Sequence, residues 1–284
     1  MTENALDLLK KRYFREGENS WKDLCQRVCR GISKAENEDQ RDKWFDVFYN
    51  MMLNLEFVPG TPCLINADES NKGQLSSCFI IDIRDNIESI YHAKSECAKI
   101  FQKNGGVGFN IGALRPKGTA VETSKGYSCG TVGFMEEFDL TADVVTRNNI
   151  RKGAIKIDLP IWHPDIIEFI NCKDDTTKLT HMNISVSISD KFMFAVQNNE
   201  NWQLVFPDYS WNKEIYNAEW DGNMDKWIDK KYPIKVYDTM KAKELYTLIM
   251  EHAWKTGEPG VSFVDTMDRY NPNPHLGMVK STNP

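Results

Sequence analysis

No apolar run in this sequence of 284 residues approaches the ~20 residues of a membrane-spanning helix, so no transmembrane segment is expected. No Cys-x-x-Cys pair occurs among its seven cysteines, which argues against a zinc site, and no metal-binding residues are predicted. Basic residues are not in excess either. The net charge is −6, whereas a general nucleic-acid surface would be strongly basic. We therefore expect neither a membrane partner nor a nucleic-acid partner.

The remaining composition is typical of a globular protein, with 41% hydrophobic and 27% charged residues. Residues 1–11 are polar and of mixed charge, so no signal or transit peptide is expected. An odd number of widely scattered cysteines without a secretion signal indicates a reducing compartment, and we expect a cytoplasmic protein. Because the net charge is negative, an anionic nucleotide would have to be bound by local basic residues and backbone amides.

The hydrophobic pattern changes once along the chain. Apolar residues recur at helical spacing through residues 1–56, and Pro59-Gly60 and Pro62 then interrupt the pattern. From there, short apolar runs typical of strands alternate with helical patterns. Predicted strands include 78–83, 107–111, 155–159, 182–188 and 202–206; predicted helices include 134–146, 166–170 and 241–256. The sequence therefore predicts a helical region, 1–58, followed by an α/β domain with parallel strands, 59–284.

Six short motifs follow one another in a fixed order. They read Thr-Pro-Cys-Leu at 61–64, Gln-Leu-Ser-Ser-Cys-Phe at 74–79, Gly-Gly-Val-Gly-Phe-Asn at 105–110, Leu-Arg-Pro-Lys-Gly at 114–118, Trp-His-Pro-Asp-Ile at 162–166 and Lys-Ser-Thr-Asn-Pro at 280–284. In this order and spacing the chain resembles the amino-terminal part of the ribonucleotide reductase large subunit, over about residues 5–284. The resemblance implies a helical region followed by the first half of a ten-stranded α/β barrel, and synthesis of deoxyribonucleotides by thiyl-radical chemistry.

Cys78 is the first catalytic candidate. By itself it reads as a structural cysteine that opens a strand. The resemblance implies instead the family's reducing cysteine, which pairs with a second cysteine in the carboxy-terminal half; such a dithiol supplies two electrons by closing a disulfide. Asn283 matches the family asparagine that hydrogen-bonds a ribose hydroxyl, and in the family the radical cysteine follows two residues later.

The resemblance also implies four substrate contacts. Thr61 would meet a substrate phosphate, although by itself it reads equally as a turn residue before a proline. Ser77 would hydrogen-bond the ribose, and Gly106 would leave the backbone open to the nucleotide. Arg151, in a loop at 146–154, would lie near the substrate base. The loop departs from the family, which has Gln-Gly-Gly where this chain has Arg-Asn-Asn at 147–149.

A second group of residues indicates a regulatory nucleotide site. The spacing from Asp85 to Glu88 predicts a capping box at the start of a helix, whose free N–H groups favour an anion. The resemblance implies that Asp85, Asn86 and Ile87 bind a deoxynucleoside triphosphate effector, and that Arg115 and Lys117 meet its phosphates. Without the resemblance, we would interpret the same residues as a helix cap and two solvated charges.

Three segments favour one branch of the family. Residues 202–207, 220–222 and 258–263 are most similar to the adenosylcobalamin-dependent branch, which implies adenosylcobalamin as the cofactor that generates the radical. The alternative is the branch that takes its radical from a dimetal partner protein. Diphosphate and triphosphate substrates both remain open.

Two hypotheses about function follow. In the first, the chain is part of an enzyme, inactive until a separate carboxy-terminal half joins it by association or splicing. The resemblance implies that it would then act on ribonucleotides as a homodimer, with a thioredoxin-like reductant. In the second, the chain is a non-catalytic nucleotide-binding relative that retains the effector site. A neighbouring reading frame containing Cys-Gly-Glu would support the first hypothesis.

Overall fold

The computed structural model describes residues 2–70, 73–121, 125–147 and 152–282. The chain divides into two compact units, Met1–Ser77 and Cys78–Pro284. A short helix at Thr61–Asn66 packs within the first unit, so the units divide later in the chain than the predicted domain boundary at residue 58.

The first unit is helical, as predicted. Its helices are α1 (Glu3–Arg12), α2 (Trp21–Ser33), α3 (Arg41–Leu53) and α4 (Thr61–Asn66), with a 3₁₀ turn at Glu38–Gln40. Helix α2 begins with a capping box, because Ser20 accepts from the Asp23 amide and the Asp23 carboxylate accepts from the Ser20 amide. Cys25 and Cys29 lie one helical turn apart on α2, and both are packed in the apolar core of this unit. Burial raises the pKa of Cys25 to about 12 and that of Cys29 to about 11, so both thiols stay protonated.

The second unit alternates strands with helices. Its elements are β1 (Cys78–Ile80), α5 (Ile87–Gln102), β2 (Gly106–Asn110), β3 (Ala120–Val121), β4 (Gly126–Tyr127), α6 (Gly130–Thr146), β5 (Ile155–Pro160), α7 (Ile166–Asn171), β6 (Met182–Ile188), α8 (Asp190–Gln197), β7 (Asn201–Pro207), α9 (Lys213–Glu219), α10 (Met224–Asp229), β8 (Ile234–Lys241), α11 (Ala242–Thr256), β9 (Gly260–Phe263), α12 (Val264–Arg269) and a 3₁₀ turn at Pro274–Leu276. The predicted helical region followed by an α/β domain is therefore confirmed.

Five strands form one parallel sheet in the order β1-β2-β5-β6-β9. Successive side chains of a strand alternate between its two faces. On one face the apolar positions, among them Phe109, Ile157 and Val186, pack with buried residues of α5, α6, α7, α8 and α11 into the main core. The other face carries polar and small residues. Among the described residues β1 and β9 are the two edges of the sheet, and closure into a ten-stranded barrel stays a prediction.

One predicted strand lies outside this sheet. Residues 202–206 do form a strand, β7, but it pairs antiparallel with β8 in a separate two-stranded sheet. The pattern did not predict β8, because most of its residues are exposed and give no apolar alternation. This two-stranded sheet packs with α9 and α10 on an aromatic cluster that contains Phe206, Tyr216, Trp220 and Trp227.

Candidate functional site

Strand register brings the polar side chains of the parallel sheet together on one face. Across β1 and β2 the register pairs Cys78 with Gly106 and Ile80 with Gly108. Gly108 and Asn110 of β2 pair with Lys156 and Asp158 of β5. Asp158 in turn pairs with Ser185 of β6, and Ser187 of β6 pairs with Ser262 of β9. We call this surface the polar face and define it by residues that alternate with the core positions: Cys78, Gly106, Gly108, Asn110, Lys156, Asp158, Ser185 and Ser262.

Cys78 lies at the start of β1, on the polar face and exposed. Its neighbour Phe79 points the other way and packs against the main core. The thiol is therefore presented to the polar face and not buried, unlike the structural reading that the sequence alone favoured. Gly106, the residue opposite Cys78, is buried and carries no side chain that could cover the thiol.

Thr61 and Ser77 belong to the first unit. Thr61 is the first residue of α4, and its hydroxyl lies 3.1 Å from the Tyr13 hydroxyl. Ser77 is half-buried and directly precedes Cys78 in the sequence. Two other candidates, Arg151 and Asn283, lie outside the described residues. The roles of all four stay predictions.

The segment 279–282 crosses the polar face. A side chain at Gly108 would place its Cβ only 2.1 Å from the Thr282 carbonyl oxygen, so the approach of this segment requires glycine at that position. Asn110 donates from Nδ2 to the Lys280 carbonyl at 2.8 Å. The chain that leads to Asn283 is thus on the same face of the sheet as Cys78.

A buried ion pair lies under this segment, and sequence reasoning missed it. Lys156 Nζ is 3.0 Å from Asp158 Oδ1, and it donates to the Thr282 hydroxyl at 2.5 Å. Asp158 accepts from the Ser281 hydroxyl at 2.6 Å. The signal was present in the sequence, because Lys156 and Asp158 alternate with Ile155, Ile157 and Leu159 in a strand whose other face is core.

The candidate effector residues Asp85 and Arg115 lie together, but they bind each other. Asp85 Oδ1 accepts from the Arg115 amide at 3.0 Å and Oδ2 from Arg115 Nε at 2.7 Å. The Tyr216 hydroxyl also donates to Oδ2, at 2.6 Å. Burial raises the pKa of Asp85, against the lowering influence of Arg115, and burial also raises the pKa of Tyr216, so this phenol stays protonated and donates. Tyr216 is a further residue that the sequence did not reveal.

The helix start next to Asp85 differs by one residue from the predicted capping box. The cap is Asn86, whose Oδ1 accepts from the Ser89 amide at 2.7 Å. Ser89 Oγ in turn accepts from the Arg84 amide at 2.9 Å. Asp85 and Glu88 do not form the box, because the Asp85 carboxylate is engaged by Arg115 and Tyr216. Ile87 begins α5 and is exposed.

Lys117 lies on a loop that the Trp-His-Pro-Asp motif fixes in place. Asp165 accepts from the Lys117 amide at 3.0 Å and from the Thr131 amide at 2.9 Å. The fully buried His163 is within 2.8 Å of the Leu114 carbonyl through Nε2, and its Nδ1 accepts from the Asp165 amide. The Lys117 ammonium itself pairs with Glu168 at 2.7 Å, on the surface.

No group of three or more potential metal ligands occurs among the residues that the structure describes. Over the same part of the chain, none of the helices is both long and apolar enough to span a bilayer.

Comparison with known proteins agrees with the division of the chain into a helical unit and an α/β unit. The family model for the ribonucleotide reductase all-alpha domain matches residues 1–72, and the model for the ribonucleotide reductase barrel domain matches residues 76–284. The two matches meet close to the division between the two compact units.

Curated relatives carry the same family name. The chain is 37% identical over 84% of its length to a vitamin B12-dependent ribonucleoside-diphosphate reductase of Thermoplasma acidophilum, and it spans 28% of that protein. It is 31% identical over 99% of its length to an enzyme of the same description from Mycobacterium tuberculosis, of which it spans 38%. A ribonucleoside-diphosphate reductase subunit alpha of Synechocystis is 31% identical over 89% of the chain. The chain thus spans about a third of the length of these relatives, and it belongs to the ribonucleotide reductase large-subunit family.

Proposed function

We propose that this chain supplies the helical region and the first five barrel strands of a ribonucleoside reductase, with Cys78 as one thiol of the redox-active pair. The observation that carries the proposal is the position of Cys78. It is exposed on the same face of the sheet that the segment 279–282 crosses on its way to Asn283.

The chemistry of this role is the reduction of a carbon–oxygen bond. Two thiols are oxidised to a disulfide, the C2′–O bond of the ribose breaks, and the oxygen leaves as water. A C2′–H bond replaces it, and the two thiols provide both electrons and both protons. A thioredoxin-like dithiol then reduces the disulfide. Because the relatives are about three times as long as this chain, we assign the second cysteine of the pair and the radical cysteine to the rest of the reductase.

Substrate contacts follow from the same assignment. Ser77 and Asn283 would hydrogen-bond the ribose, Thr61 a phosphate, and Arg151 would lie near the base. Gly106 supports the proposal because a side chain there would stand directly beside Cys78 on the polar face. The nucleotide would therefore approach the sheet over Gly106, beside Cys78, since the segment 279–282 lies over Gly108.

Adenosylcobalamin is proposed as the radical-generating cofactor on the names of the relatives alone. The described part of the polar face leaves no open surface for a corrin over Gly108. One surface cavity, of about 500 Å³, lies beside α8 and α11, a second lies in the first unit, and neither is on the polar face. The middle of that face is covered by the segment 279–282. We therefore expect the remaining two thirds of the reductase to provide most of the cofactor's binding site.

A reconstitution assay tests the proposal. The chain alone is expected to form no deoxyribonucleotide from ribonucleotides, adenosylcobalamin and a dithiol. With the complementary part of a reductase added, we expect turnover. Cys78→Ser should then abolish multiple turnover, because serine retains the shape but cannot form the disulfide. Cys129→Ser is the matched control, since Cys129 is also exposed but precedes α6, away from the polar face.

Three outcomes would contradict parts of this proposal. Turnover by the unsupplemented chain would contradict the assignment of catalytic cysteines to the rest of the enzyme. Full turnover with Cys78→Ser would make Cys78 a structural residue. Activity that requires a dimetal partner protein instead of adenosylcobalamin would place the chain in the other branch of the family.

A second candidate function is nucleotide binding without catalysis, and the pairing of Asp85 with Arg115 at the start of α5 favours it. A carboxylate and a guanidinium at one helix start could contact the sugar hydroxyl and the phosphates of a deoxynucleoside triphosphate. In the complete enzyme this would be an allosteric site, and we expect a homodimer. Nucleotide binding with no turnover after reconstitution would favour this function over reduction.

A further inference from the structure

The segment 279–282 is held by contacts to several parts of the second unit. The Val279 amide donates to Asp268 Oδ1 at 2.7 Å, and the Lys280 carbonyl accepts from Asn110. Ser281 is almost fully buried. The two hydroxyls of Ser281 and Thr282 both bind the ion pair of Lys156 and Asp158. The ion pair is thus a charged group that both hydroxyls of the segment contact.

Every polar atom of this ion pair has a partner. The Lys156 ammonium has three protons, and it lies within hydrogen-bonding distance of Asp158, of Ser262 Oγ at 3.3 Å and of the Thr282 hydroxyl. The Asp158 carboxylate accepts from Lys156, from Ser262 at 3.2 Å and from Ser281. Two of these partners belong to the segment, so the pair is complete only when the segment lies on the sheet.

Sheet stability does not explain such a pair. Asp158 is 1% exposed and Lys156 9%, and a buried ion pair is often no more stabilising than a well-packed apolar pair of the same size. An apolar pair would remove the charged partners of the Ser281 and Thr282 hydroxyls on the polar face. The charges therefore favour one placement of the segment over others.

We propose that Lys156 and Asp158 are positioning residues that hold Ser281 and Thr282 across Gly108 and so determine where the chain continues to Asn283. The placement of the segment is a property of this chain. Its consequence for catalysis rests on the proposed function, in which Asn283 contacts the ribose.

Hydrogen exchange of the purified chain, read by mass spectrometry over the peptide 278–284, tests the placement. Asp158→Asn and Thr282→Val should each accelerate exchange of this peptide by about ten- to a hundredfold, because each leaves a buried charged or polar group without its partner. Thr282→Val leaves both members of the ion pair intact, so it separates release of the segment from damage to the sheet. Thr282→Ser, which keeps the hydroxyl, should restore exchange to within about twofold of the wild type.

Lys280→Met is the matched control. Lys280 lies in the same segment, but its ammonium pairs with Asp82 at the surface, where an ion pair contributes little. The proposal fails if Asp158→Asn and Thr282→Val release the segment no more than Lys280→Met does. It also fails if exchange in β5 and β6 rises in parallel, since the pair would then only support the sheet.

A kinetic assay on the complete reductase tests the consequence. Thr282→Val should lower kcat by about tenfold or more with KM within about twofold, because the reacting groups are misplaced while the rest of the binding site is unchanged. Unchanged kcat in a variant whose segment is released would overturn the positioning role. Absence of turnover in the wild type would count against the proposed function, and the exchange experiment would still decide the placement.

Discussion

At the scale of single residues, both carboxylate oxygens of Asp85 already accept hydrogen bonds from donors within the chain. Arg115 donates to both of its oxygens, and Tyr216 donates to the same oxygen as Arg115 Nε. A deoxyribose hydroxyl that binds Asp85 must therefore share one of these oxygens with a donor already present, or displace that donor. The hydroxyl of Tyr216 is the donor that can be removed without a change of charge.

Tyr216→Phe is accordingly expected to increase the affinity for deoxynucleoside triphosphates, by up to about tenfold, since it frees an acceptor position on Asp85. Asp85→Ala and Arg115→Ala should each weaken binding by about ten- to a hundredfold, because each removes a charge-assisted contact. Calorimetry on the folded variants measures these affinities. Tyr232→Phe, in the same aromatic cluster, is the control. If the wild type binds and neither Asp85→Ala nor Arg115→Ala weakens binding, the effector assignment is wrong.

His163 gives a prediction about pH. Burial lowers its pKa, against the raising influence of Asp165, so the folded protein holds the imidazole neutral. The unfolded chain takes up a proton on this side chain below about pH 6.5. The unfolded state therefore binds more protons, and the free energy of unfolding contributed by His163 falls as pH drops through and below this value, by up to about 1.4 kcal/mol per pH unit.

Urea unfolding between pH 7.5 and 5 checks this sign. We expect His163→Asn to have a shallower loss of stability toward acid than the wild type. His275→Gln should keep the wild-type slope, because His275 is exposed. An equal slope in His163→Asn and the wild type would show that the imidazole takes up its proton equally in the folded state.

At the scale of elements, Gly130 is the first residue of α6 and lies against the loop that carries Lys117. Gly130 has φ +77°, and a Cβ there would lie 2.7 Å from Lys117 Cβ and 2.8 Å from Asp165 Oδ2. Gly118 in the same loop has φ +74° but nothing within 4 Å of its Cβ position. Gly118→Ala should cost about 1–2 kcal/mol for the left-handed backbone alone. Gly130→Ala should cost about 1–3 kcal/mol more, because of the clash.

The two variants can be compared by urea unfolding, with hydrogen exchange of the Lys117 and Thr131 amides as a local measure. Both amides donate to Asp165, so Gly130→Ala should expose them and Gly118→Ala should not. Equal costs for the two substitutions would mean that backbone conformation alone accounts for the glycine at 130.

The sequence predicted those elements whose pattern is local. Helices with one apolar face and strands that alternate or are wholly apolar, such as β5 and β6, lie where periodicity placed them. Strand β8 was missed because its residues are mostly exposed. The polar network was missed for a different reason. Lys156 and Thr282 are 126 residues apart, and Asp85 and Tyr216 are 131 apart, and no local pattern relates such partners.

The candidate site residues divide in the same way, into those that a local motif identifies and those that only long-range contacts reveal. Cys78, Gly106 and Asp85 were identified because short motifs resemble a family, and the structure adds which of them share a face or a partner. Lys156, Asp158 and Tyr216 belong to no motif used in that comparison. Their importance depends on strand register and on the packing of α9, which only the folded chain provides.

At the scale of the whole molecule, the parallel sheet is covered by helices on one face, whereas parallel sheets are usually covered on both. Over the described ranges, β1 and β9 also have one unpaired side each. Such edges favour pairing with another strand. In the complete reductase we expect strands from the remaining two thirds of the protein at these edges.

The chain alone is therefore expected to self-associate as its concentration rises, and the complementary part of the reductase should replace this association with a defined complex. Ile80→Lys should weaken self-association, because Ile80 lies in the edge strand β1, is 54% exposed, and a charge on an edge opposes pairing. Leu276→Lys, at a residue that is 79% exposed but in no strand, should leave association unchanged. Sedimentation velocity over a range of concentrations measures both. Equal effects of the two substitutions would indicate association through general hydrophobic surface, and a monomer at all concentrations would show that the edges are protected within this chain.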